Sequence, residues 1–397
     1  MDITIFPKPL SGTVSAIPSK SLIHRYLICA AFADCPTEIL CADTSQDIEA
    51  TVACLKQLGV QIIRNDSGYH VAPVQNPLDN IELPCQESGS TLRFLLPVIG
   101  ALGVEATFKM KGRLSQRPLT PLLEEMCRMG CCIRWLDENT LSCRGQLKPG
   151  EYCIPGNISS QFVSGLLFAC ALLGRGSCVS VIGHLESKPY VDMTVYTLSQ
   201  FGIDATKPIV SEGNFLSPGI IAADGDWSNS ACYLAANTIG SAVHVTGLNP
   251  DSPQGDRAIA DFLLQMNLRP AIDLADNPDL FPILAIIAAA KNGAIFHHIS
   301  RLRHKESDRI HSVVAMLAAM GCHATVSEDS VTVYPGRIRS GMVDACHDHR
   351  IVMAAAIAAT CADGPVTIRN AESVQKSYPH FWEDYRNLGG LYEQHIR

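Results

Sequence analysis

One short pattern recurs six times along the chain and constrains its fold more than any other feature. Two apolar residues three positions apart are followed by Gly, or once by Asn. The copies end at Gly59, Gly130, Gly202, Asn267, Gly321 and Gly389. Gly or Asn just past the last turn of a helix favours the left-handed C-cap conformation, so each copy predicts the end of an amphipathic helix. The copies lie 54 to 72 residues apart, which is too long for a solenoid repeat.

A second helix is predicted before each of these endings, and it is apolar on nearly every side. These segments are 22–33, 92–102, 162–173, 230–239, 280–290 and 351–359. Helices that are hydrophobic all round are buried in a protein core. A strand-like run follows each buried helix, at 38–40, 106–108, 178–181, 242–245, 294–296 and 366–368. The pattern predicts an α/β (α+β) fold of two similar domains, each built from three βαβ-type repeats.

A polar, glycine-containing joint follows the third repeat and marks the predicted domain boundary. It reads Ala223-Asp224-Gly225-Asp226. The strand at 3–6 precedes the first repeat and fits either domain on pattern alone. The repeats therefore predict one domain over 19–225 and another over 226–397.

Composition restricts the class of protein. The chain has 397 residues, of which 47% are hydrophobic and 18% are charged, so it can bury a large core and is not disordered. Its net charge of −8 argues against a nucleic-acid scaffold. The sixteen cysteines are scattered without a C-x-x-C pair, and the first residues lack a secretory pattern. We expect a soluble cytoplasmic protein with reduced cysteines.

Polar or charged residues stand at the start of each buried helix. They include Lys20, Ser21 and Arg25 at the first helix, Ser88 to Arg93 at the second, Asn157 to Gln161 at the third, Asp226 to Asn229 at the fourth, Asp276 to Asp279 at the fifth and His347 to Arg350 at the sixth. Taken singly, each set is most simply explained as a helix cap. Three repeats around a common axis, however, bring their helix N-termini together, and these bind anions. Two such domains are predicted to enclose a cleft lined with anion donors.

Loops at equivalent points of the repeats add charged residues to this cleft. They contribute Arg117, Ser187, Lys305, Glu306, Arg309 and Lys376. Lys305 and Arg309 are four residues apart, which predicts one face of a starting helix. Such a segment is usually a run of charged residues exposed to solvent. Its position in the repeat, however, favours a role in the functional site. Asp279, Glu306 and Lys20 are available for proton transfer.

The sequence gives little support to other common kinds of binding or catalytic site. The chain has no G-x-x-x-x-G-K-[ST] phosphate loop and no G-x-G-x-x-G after a strand. His347-Asp348-His349 has no second ligand cluster beside it, so we predict a helix start there rather than a metal site. The polar and charged residues at the helix starts and in the loops therefore indicate a cleft that binds one or two small molecules, each with several negative charges.

The ordered set of these segments resembles the 5-enolpyruvylshikimate-3-phosphate synthase family of enolpyruvyl transferases. The matching segments are Ser19-Lys20-Ser21 with Arg25, Ser88-Gly89-Ser90 with Arg93, Arg117-Pro118, Ser159-Ser160-Gln161, Ser187-Lys188-Pro189-Tyr190, Pro278-Asp279, Lys305 to Arg309, Asp348-His349-Arg350 and Lys376. The resemblance implies two domains of the inside-out α/β barrel type, with 1–18 joining 226–397. It also implies transfer of the enolpyruvyl group from phosphoenolpyruvate to the 5-hydroxyl of shikimate 3-phosphate, in a monomer without metal or organic cofactor.

The resemblance also implies a role for each matching residue. Shikimate 3-phosphate would be bound by Lys20, Ser21, Arg25, Ser159, Ser160, Gln161, Ser187, Asp279 and Lys305. Phosphoenolpyruvate would be bound by Lys20, Gly89, Arg117, Gln161, Arg309, Arg350 and Lys376. Asp279 would accept the proton of the attacking hydroxyl. Glu306, with Lys20, would protonate the methylene carbon and later remove a proton.

The chain departs from the commonest pattern of the family beside the expected phosphoenolpyruvate loop. Glu87 stands where Asn is usual, Ser88 replaces the usual Ala, and 301–304 also differ. A carboxylate at 87 would repel an anion unless it turns away or pairs with a base.

The nearest competing hypothesis is the related enolpyruvyl transferase that acts on UDP-N-acetylglucosamine. That family typically carries a cysteine shortly before its Arg-Pro, and 111–116 contain none. The sequence also leaves open a non-catalytic protein that binds anions or processes nucleic acid, and an inactive relative of the transferases.

Overall fold

Two compact domains make up the chain in the computed structural model, which describes residues 1–174, 176–206, 210 and 214–395. The continuous domain is Pro18–Asp224, and the split domain joins Met1–Ile17 to Gly225–Arg397. The predicted boundaries lie one residue away from these at each crossing.

The continuous domain alternates helices and strands. Its helices are α1 (Lys20–Ala31), α2 (Gln46–Gln57), α3 (Gly89–Leu102), α4 (Thr120–Arg128), α5 (Ser160–Leu173) and α6 (Lys188–Gln200). Its strands are β3 (Thr37–Leu40), β4 (Gln61–Asn65), β5 (Gly68–Ala72), β6 (Ile81–Gln86), β7 (Ala106–Met110), β8 (Cys131–Asp137), β9 (Thr140–Gly145), β10 (Glu151–Pro155), β11 (Cys178–Ile182) and β12 (Ile220–Ala222).

The split domain follows the same alternation. Its helices are α7 (Trp227–Asn237), α8 (Ile259–Gln265), α9 (Phe281–Ala290), α10 (Arg309–Ala319), α11 (His349–Ala359) and α12 (Phe381–Asn387). Its strands are β1 (Asp2–Phe6), β2 (Ser11–Ser15), β13 (Ala242–Thr246), β14 (Ala271–Asp273), β15 (Ala294–His297), β16 (Ala324–Val326), β17 (Ser330–Val333), β18 (Gly341–Asp344), β19 (Val366–Arg369) and β20 (Leu391–His395).

The same sheet topology recurs in both domains. Among the described residues, the four-stranded sheets have the orders β12-β3-β5-β4, β6-β7-β9-β8, β14-β15-β17-β16 and β18-β19-β1-β20. In each, the first pair is parallel and the next two pairs are antiparallel. The remaining described strands form the parallel pairs β10-β11 and β13-β2. Each four-stranded sheet therefore joins one parallel pair to two further antiparallel strands, and among the described residues this arrangement occurs twice in each domain.

The helices predicted to be buried are the cores of the two domains. In α9, every residue from Phe281 to Ala289 is buried, as is every residue of α11. The backbones of α5 and α3 pack closely at Gly165. A glycine is required at this position because a Cβ there would overlap the backbone carbonyl of Arg93. The prediction of a mixed α/β fold with buried helices is confirmed, although α1, α3, α5, α7 and α11 begin two or three residues earlier than the apolar pattern indicated.

The predicted helix endings are confirmed at five of the six copies and wrong at one. The glycines that close those five copies all have positive φ, from 73° at Gly321 to 117° at Gly130. In the fourth copy, Asn267 continues a 3-10 turn, and the left-handed residue is Arg269 at φ 51°. The Asn prediction failed because the short α8 is extended by this turn before the chain reverses.

Candidate active site

An ion cluster lies at the helix starts of the split domain. Its members are Asp279, Lys305, Glu306, Arg309, Asp348 and Arg350. Asp279 lies just before α9, Arg309 opens α10, and Arg350 lies in the first turn of α11. The prediction that helix starts of this domain converge is confirmed by these contacts.

Arg309 is the centre of the cluster, with its side chain only 1% exposed. Its Nη1 donates to Asp279 Oδ1 at 2.6 Å and its Nη2 to Glu306 Oε2 at 2.6 Å. Its Nε donates to Asp348 Oδ2 at 2.8 Å. A guanidinium carries its five N–H donors in a rigid planar fork, so Arg309 holds these carboxylates in fixed positions.

Asp279 is ringed by positive charge. Lys305 Nζ lies 3.1 Å from its Oδ1, and Arg350 Nη2 lies 3.8 Å from its Oδ2. Burial by itself would raise the pKa of Asp279, but Lys305, Arg309 and Arg350 together hold it well below its usual range. Burial also lowers the pKa of Lys305, against the attraction of Asp279. Asp279 is therefore ionised, and its basicity depends on how well its cations are neutralised.

Two further details of the split domain bear on the predictions. Lys305 lies in an extended link before α10, at φ −89° and ψ −160°, so the prediction of a shared helix face with Arg309 is wrong. The two side chains meet instead at Asp279.

Lys376 is buried at the end of a 3-10 helix, and its Nζ donates to the carbonyl of His347 at 2.8 Å.

In the continuous domain, hydroxyl groups and amides link the helix starts, beside the ion pair of Lys20 and Asp47. A hydroxyl chain runs from His24 Nδ1 to Thr51 (2.8 Å), from Thr51 to Thr91 (2.7 Å) and from Thr91 to Ser88 (2.7 Å). Ser88 also caps α3 by accepting from the N–H of Thr91. Burial, with Lys20 and Arg25 nearby, lowers the pKa of His24 well below its usual value. The chain thus ties α1, α2 and α3 together with neutral groups.

Gly89 opens α3 between two guanidinium groups. A Cβ built there would lie 2.7 Å from Nη1 of Arg117 and 2.7 Å from Nη1 of Arg93, so a larger residue would displace both. Arg93 Nη1 donates to Gln161 Oε1 at 3.0 Å, and Gln161 Nε2 donates to Ser90 Oγ at 3.0 Å. The starts of α3 and α5 therefore meet at a compact basic patch.

Lys20 and Arg25 both lie on α1 but make different contacts. Lys20 Nζ pairs with Asp47 Oδ2 at 2.7 Å. Arg25 is buried, where it donates to Thr194 Oγ1 and to the carbonyls of Ser21 and Tyr190. Burial lowers the pKa of Arg25 to about 10. Arg25 thus fixes α1 against α6, while Lys20 lies at the partly exposed helix start.

This arrangement of residues has counterparts among known proteins. The model of EPSP synthase (3-phosphoshikimate 1-carboxyvinyltransferase) matches residues 6–385. The chain belongs to the EPSP synthase family. It is 37% identical to a 3-phosphoshikimate 1-carboxyvinyltransferase of Clostridium kluyveri, over 98% of this chain and 97% of the relative. It is 34% identical to one of Clostridium novyi, over 99% and 98%.

The fold agrees with a solved structure of this family. EPSP synthase from Acinetobacter baumannii superposes with a TM-score of 0.80 at 24% identity, covering 99% of this chain and all of that one. The resemblance stated from the sequence is confirmed, and with it the α/β fold and the enzyme class. The chain is an EPSP synthase family transferase, and the activity of that family is enolpyruvyl transfer to shikimate 3-phosphate in aromatic biosynthesis.

The expected catalytic and ligand-binding residues of this family member are distributed between the two domains. Lys20, Ser21, Arg25, Gly89, Arg117, Ser159, Ser160, Gln161 and Ser187 belong to the continuous domain, and Asp279, Lys305, Glu306, Arg309, Arg350 and Lys376 to the split domain. Ser159 caps α5 by accepting from the N–H of Gln161. Ser187 is buried and left-handed, at φ 53° before α6.

Asp47 was not predicted as a site residue, and the partners of Asp348 and Ser228, which lie in the predicted polar sets at the helix starts, were not predicted either. Asp47 pairs with Lys20, Asp348 with Arg309, and Ser228 with Arg350. Asp47 and Asp348 stand at helix starts, where the sequence alone indicates an ordinary cap or dipole partner. Only their long-range contacts distinguish these two aspartates from ordinary residues at a helix start.

The structure indicates neither a metal centre nor a membrane span in the part of the chain that it describes. Among the described residues, no group of three or more His, Cys, Asp and Glu side chains is arranged to hold a metal ion. No helix in the described ranges is long and apolar enough to cross a bilayer. All sixteen cysteines are free thiols.

Proposed function

We propose that this chain transfers the enolpyruvyl group of phosphoenolpyruvate to the 5-hydroxyl of shikimate 3-phosphate, with release of phosphate, and that the residues named above do this work. The observation that carries the proposal is the ion cluster, in which Asp279 and Glu306 are held by one buried Arg309. Two carboxylates at fixed positions suit a reaction that removes one proton and delivers another.

Shikimate 3-phosphate would be bound by Lys20, Ser21, Arg25, Ser159, Ser160, Gln161 and Ser187 of the continuous domain, and by Asp279 and Lys305 of the split domain. Phosphoenolpyruvate would be bound by Lys20, Gly89, Arg117, Gln161, Arg309, Arg350 and Lys376. Both substrates carry a carboxylate and a phosphate, and planar guanidinium groups suit bidentate contact with such anions. Because these residues lie on two domains, we propose that the domains close on the substrates and exclude water.

Asp279 would take the proton of the attacking hydroxyl as its oxygen bonds to the central carbon of phosphoenolpyruvate. Glu306, with Lys20, would deliver a proton to the methylene carbon. The same acid pair would then remove a proton from that carbon as phosphate leaves, which restores the double bond. The low pKa of Asp279 reflects its neighbouring cations. Substrate phosphates would neutralise these cations and make Asp279 a stronger base.

We also propose that the protein works as a cytoplasmic monomer that requires no nucleic acid or membrane partner. Family resemblance supports the monomer. The acidic sequence pI of about 5.9 supports small anionic substrates rather than nucleic acid as ligands. Gel filtration with light scattering tests the monomer, which a particle of twice the 42.9 kDa chain mass would contradict.

The deciding experiment measures phosphate release by the purified protein with shikimate 3-phosphate and phosphoenolpyruvate together. Either substrate alone is the blank, and UDP-N-acetylglucosamine replaces shikimate 3-phosphate in a parallel reaction. We expect release only with shikimate 3-phosphate present. Turnover with UDP-N-acetylglucosamine instead would reject the proposal, and no turnover with either acceptor would indicate an inactive relative.

A further inference from the structure

Arg350 is buried beside the ion cluster, and its guanidinium is weakly tied to that cluster. Its Nη2 lies 3.8 Å from Asp279 Oδ2, which is longer than an ordinary hydrogen bond. Its Nε meets no hydrogen-bond acceptor among the described residues. Because a buried guanidinium needs acceptors for its N–H groups, the remaining contacts of Arg350 decide where it lies.

Ser228 supplies those contacts. Its carbonyl accepts from Arg350 Nη1 at 2.6 Å, and its Oγ accepts from Arg350 Nη2 at 2.5 Å. Two hydrogen bonds to one planar fork fix both the position and the plane of the guanidinium. Ser228 thus holds Arg350 with two oxygens, as a carboxylate would, but it adds no negative charge. The positive charge of Arg350 therefore remains available to an anionic ligand.

The start of α7 keeps Ser228 in place. Ser228 lies in the first turn of this helix, which Asp226 caps by accepting from the N–H of Asn229 at 2.7 Å. The N–H of Trp227 donates to Oε1 of Gln254, a buried side chain, at 3.1 Å. With the residues on both sides of it fixed, Ser228 is a rigid support for Arg350.

The position of Asp279 shows what this support prevents. Lys305 and Arg309 already approach its Oδ1, at 3.1 and 2.6 Å. Attraction between opposite charges in a buried site would also draw Arg350 to Asp279 if Ser228 did not hold it. A closer pair would occupy N–H groups of Arg350 that an anionic ligand needs, and it would make Asp279 a weaker base.

We propose that Ser228 is a positioning residue, which holds Arg350 apart from Asp279 and so keeps its guanidinium available to an anionic group of phosphoenolpyruvate. The inference rests on the proposed function, in which Arg350 binds phosphoenolpyruvate and Asp279 is the base. Ser228 acts through Arg350 and is not itself a catalytic residue.

The test measures KM for each substrate, kcat and thermal stability of S228A and S228T. We expect S228A to raise KM for phosphoenolpyruvate by about tenfold, because one hydrogen bond to a charged group is lost while the carbonyl contact remains. KM for shikimate 3-phosphate should change less than about threefold. S228T keeps the hydroxyl, so its KM for phosphoenolpyruvate should stay within about twofold of wild type.

S241A is the matched control. Ser241 is a buried serine of the same domain, and its Oγ accepts from the N–H of Leu10 at 3.0 Å. The variant therefore loses one hydrogen bond to a hydroxyl at a position that does not contact Arg350. We expect lower thermal stability and both KM values as in wild type.

A double variant with R350A tests whether Ser228 acts through Arg350, because residues that act through one another are not additive. S228A should lower kcat/KM for phosphoenolpyruvate by about tenfold in the wild type but by less than about twofold in R350A. S228C keeps the size of the side chain but offers only a weak acceptor. It carries the same expectations as S228A where S228A does not fold.

Three results would overturn the positioning role: an unchanged KM for phosphoenolpyruvate in folded S228A or S228C, an equal rise in both KM values, or an undiminished effect of S228A in R350A. Wild-type turnover is measured first. Its absence would reject the proposed function and this inference with it, whereas normal wild-type turnover with any of the three results would reject the role of Ser228 only.

Discussion

The two domains share one architecture but place different chemistry at their helix starts. In the split domain, Asp279, Glu306 and Asp348 surround Arg309 in a buried ionic cluster. In the continuous domain, the hydroxyl chain of His24, Thr51, Thr91 and Ser88 joins α1, α2 and α3 without a charge in any of its links. The cations of that domain stand around the chain rather than inside it.

This difference shows that the repeated βαβ arrangement determines where a side chain lies but not which chemical group it carries. Each helix start offers unpaired N–H groups and a favourable dipole for an anion, whichever residues occupy it. In the split domain, carboxylates lie among the cations at the helix starts. In the continuous domain, hydroxyls and amides link the helix starts, beside the ion pair of Lys20 and Asp47.

The largest expected effect is on stability in the split domain. Asp348→Ala leaves the buried Arg309 with one carboxylate fewer, and breaking a buried pair costs about 3–5 kcal/mol of unfolding free energy. Ser88→Ala removes a helix cap in the continuous domain and should cost about 1 kcal/mol. Urea denaturation measures both. Equal losses of unfolding free energy in the two variants would contradict the expected difference between the ionic cluster and the neutral hydroxyl chain.

The next effect is on catalysis. Asp279→Ala and Glu306→Ala should each lower kcat by about 100-fold or more, because each removes a proton-transfer group. Asp308→Asn is the matched control, since Asp308 lies two residues after Glu306 in the sequence but caps α10 by accepting from the N–H of His311. Its kcat should stay within about threefold of wild type. Near-normal rates for the first two variants would remove their acid–base roles.

Lys20→Met tests whether the continuous domain also contributes charge to the reaction. Loss of the ammonium group should raise KM and lower kcat by about tenfold each, because a charged donor to both substrates is removed. Lys56→Met, at the exposed end of α2, controls for net charge. A change confined to thermal stability would leave Lys20 with only a structural role, as the partner of Asp47.

His24 makes the neutral chain sensitive to pH. Its pKa is well below the usual value in the folded protein, so the unfolded chain binds a proton more readily. Stability should therefore fall as pH drops below about 6.5, by up to about 1.4 kcal/mol per pH unit, and level off below the folded pKa. His24→Gln should remove this part of the dependence, whereas His311→Gln, at an exposed position, should retain it. Parallel curves for wild type and His24→Gln would contradict this assignment.

The smallest effect concerns Glu87, the unusual residue beside Ser88 and Gly89. Its carboxylate packs against the turn at Gly112, where a Cβ would lie 2.5 Å from Oε2. Glu87→Asn removes a negative charge near the expected phosphoenolpyruvate site and should lower KM for that substrate about twofold to fivefold. Glu82→Gln, which is exposed on β6, is the control. An unchanged KM would mean that Glu87 is directed away from the substrate.

Much of the fold could be predicted because the repeat encodes it locally. The apolar helices and their glycine endings follow from periodicity alone, and the one failure, at Asn267, came from a helix too short to end in the usual way. The helix starts were harder to predict. Lys305 belongs to an extended link rather than a helix face, and Asp47 could not be told from an ordinary first-turn acid.

The sequence by itself determined the repeated αβ pattern, the burial of the central helices and the family, because these depend on side-chain period and on ordered motifs along the chain. Only the tertiary structure decided which charges meet. Asp348 and Arg309 are 39 residues apart, and Arg350 and Ser228 are 122 apart. No local pattern records such partners, since their interaction depends on how the repeats of a domain pack around one another. The chemistry of each helix start, ionic or neutral, follows from that packing.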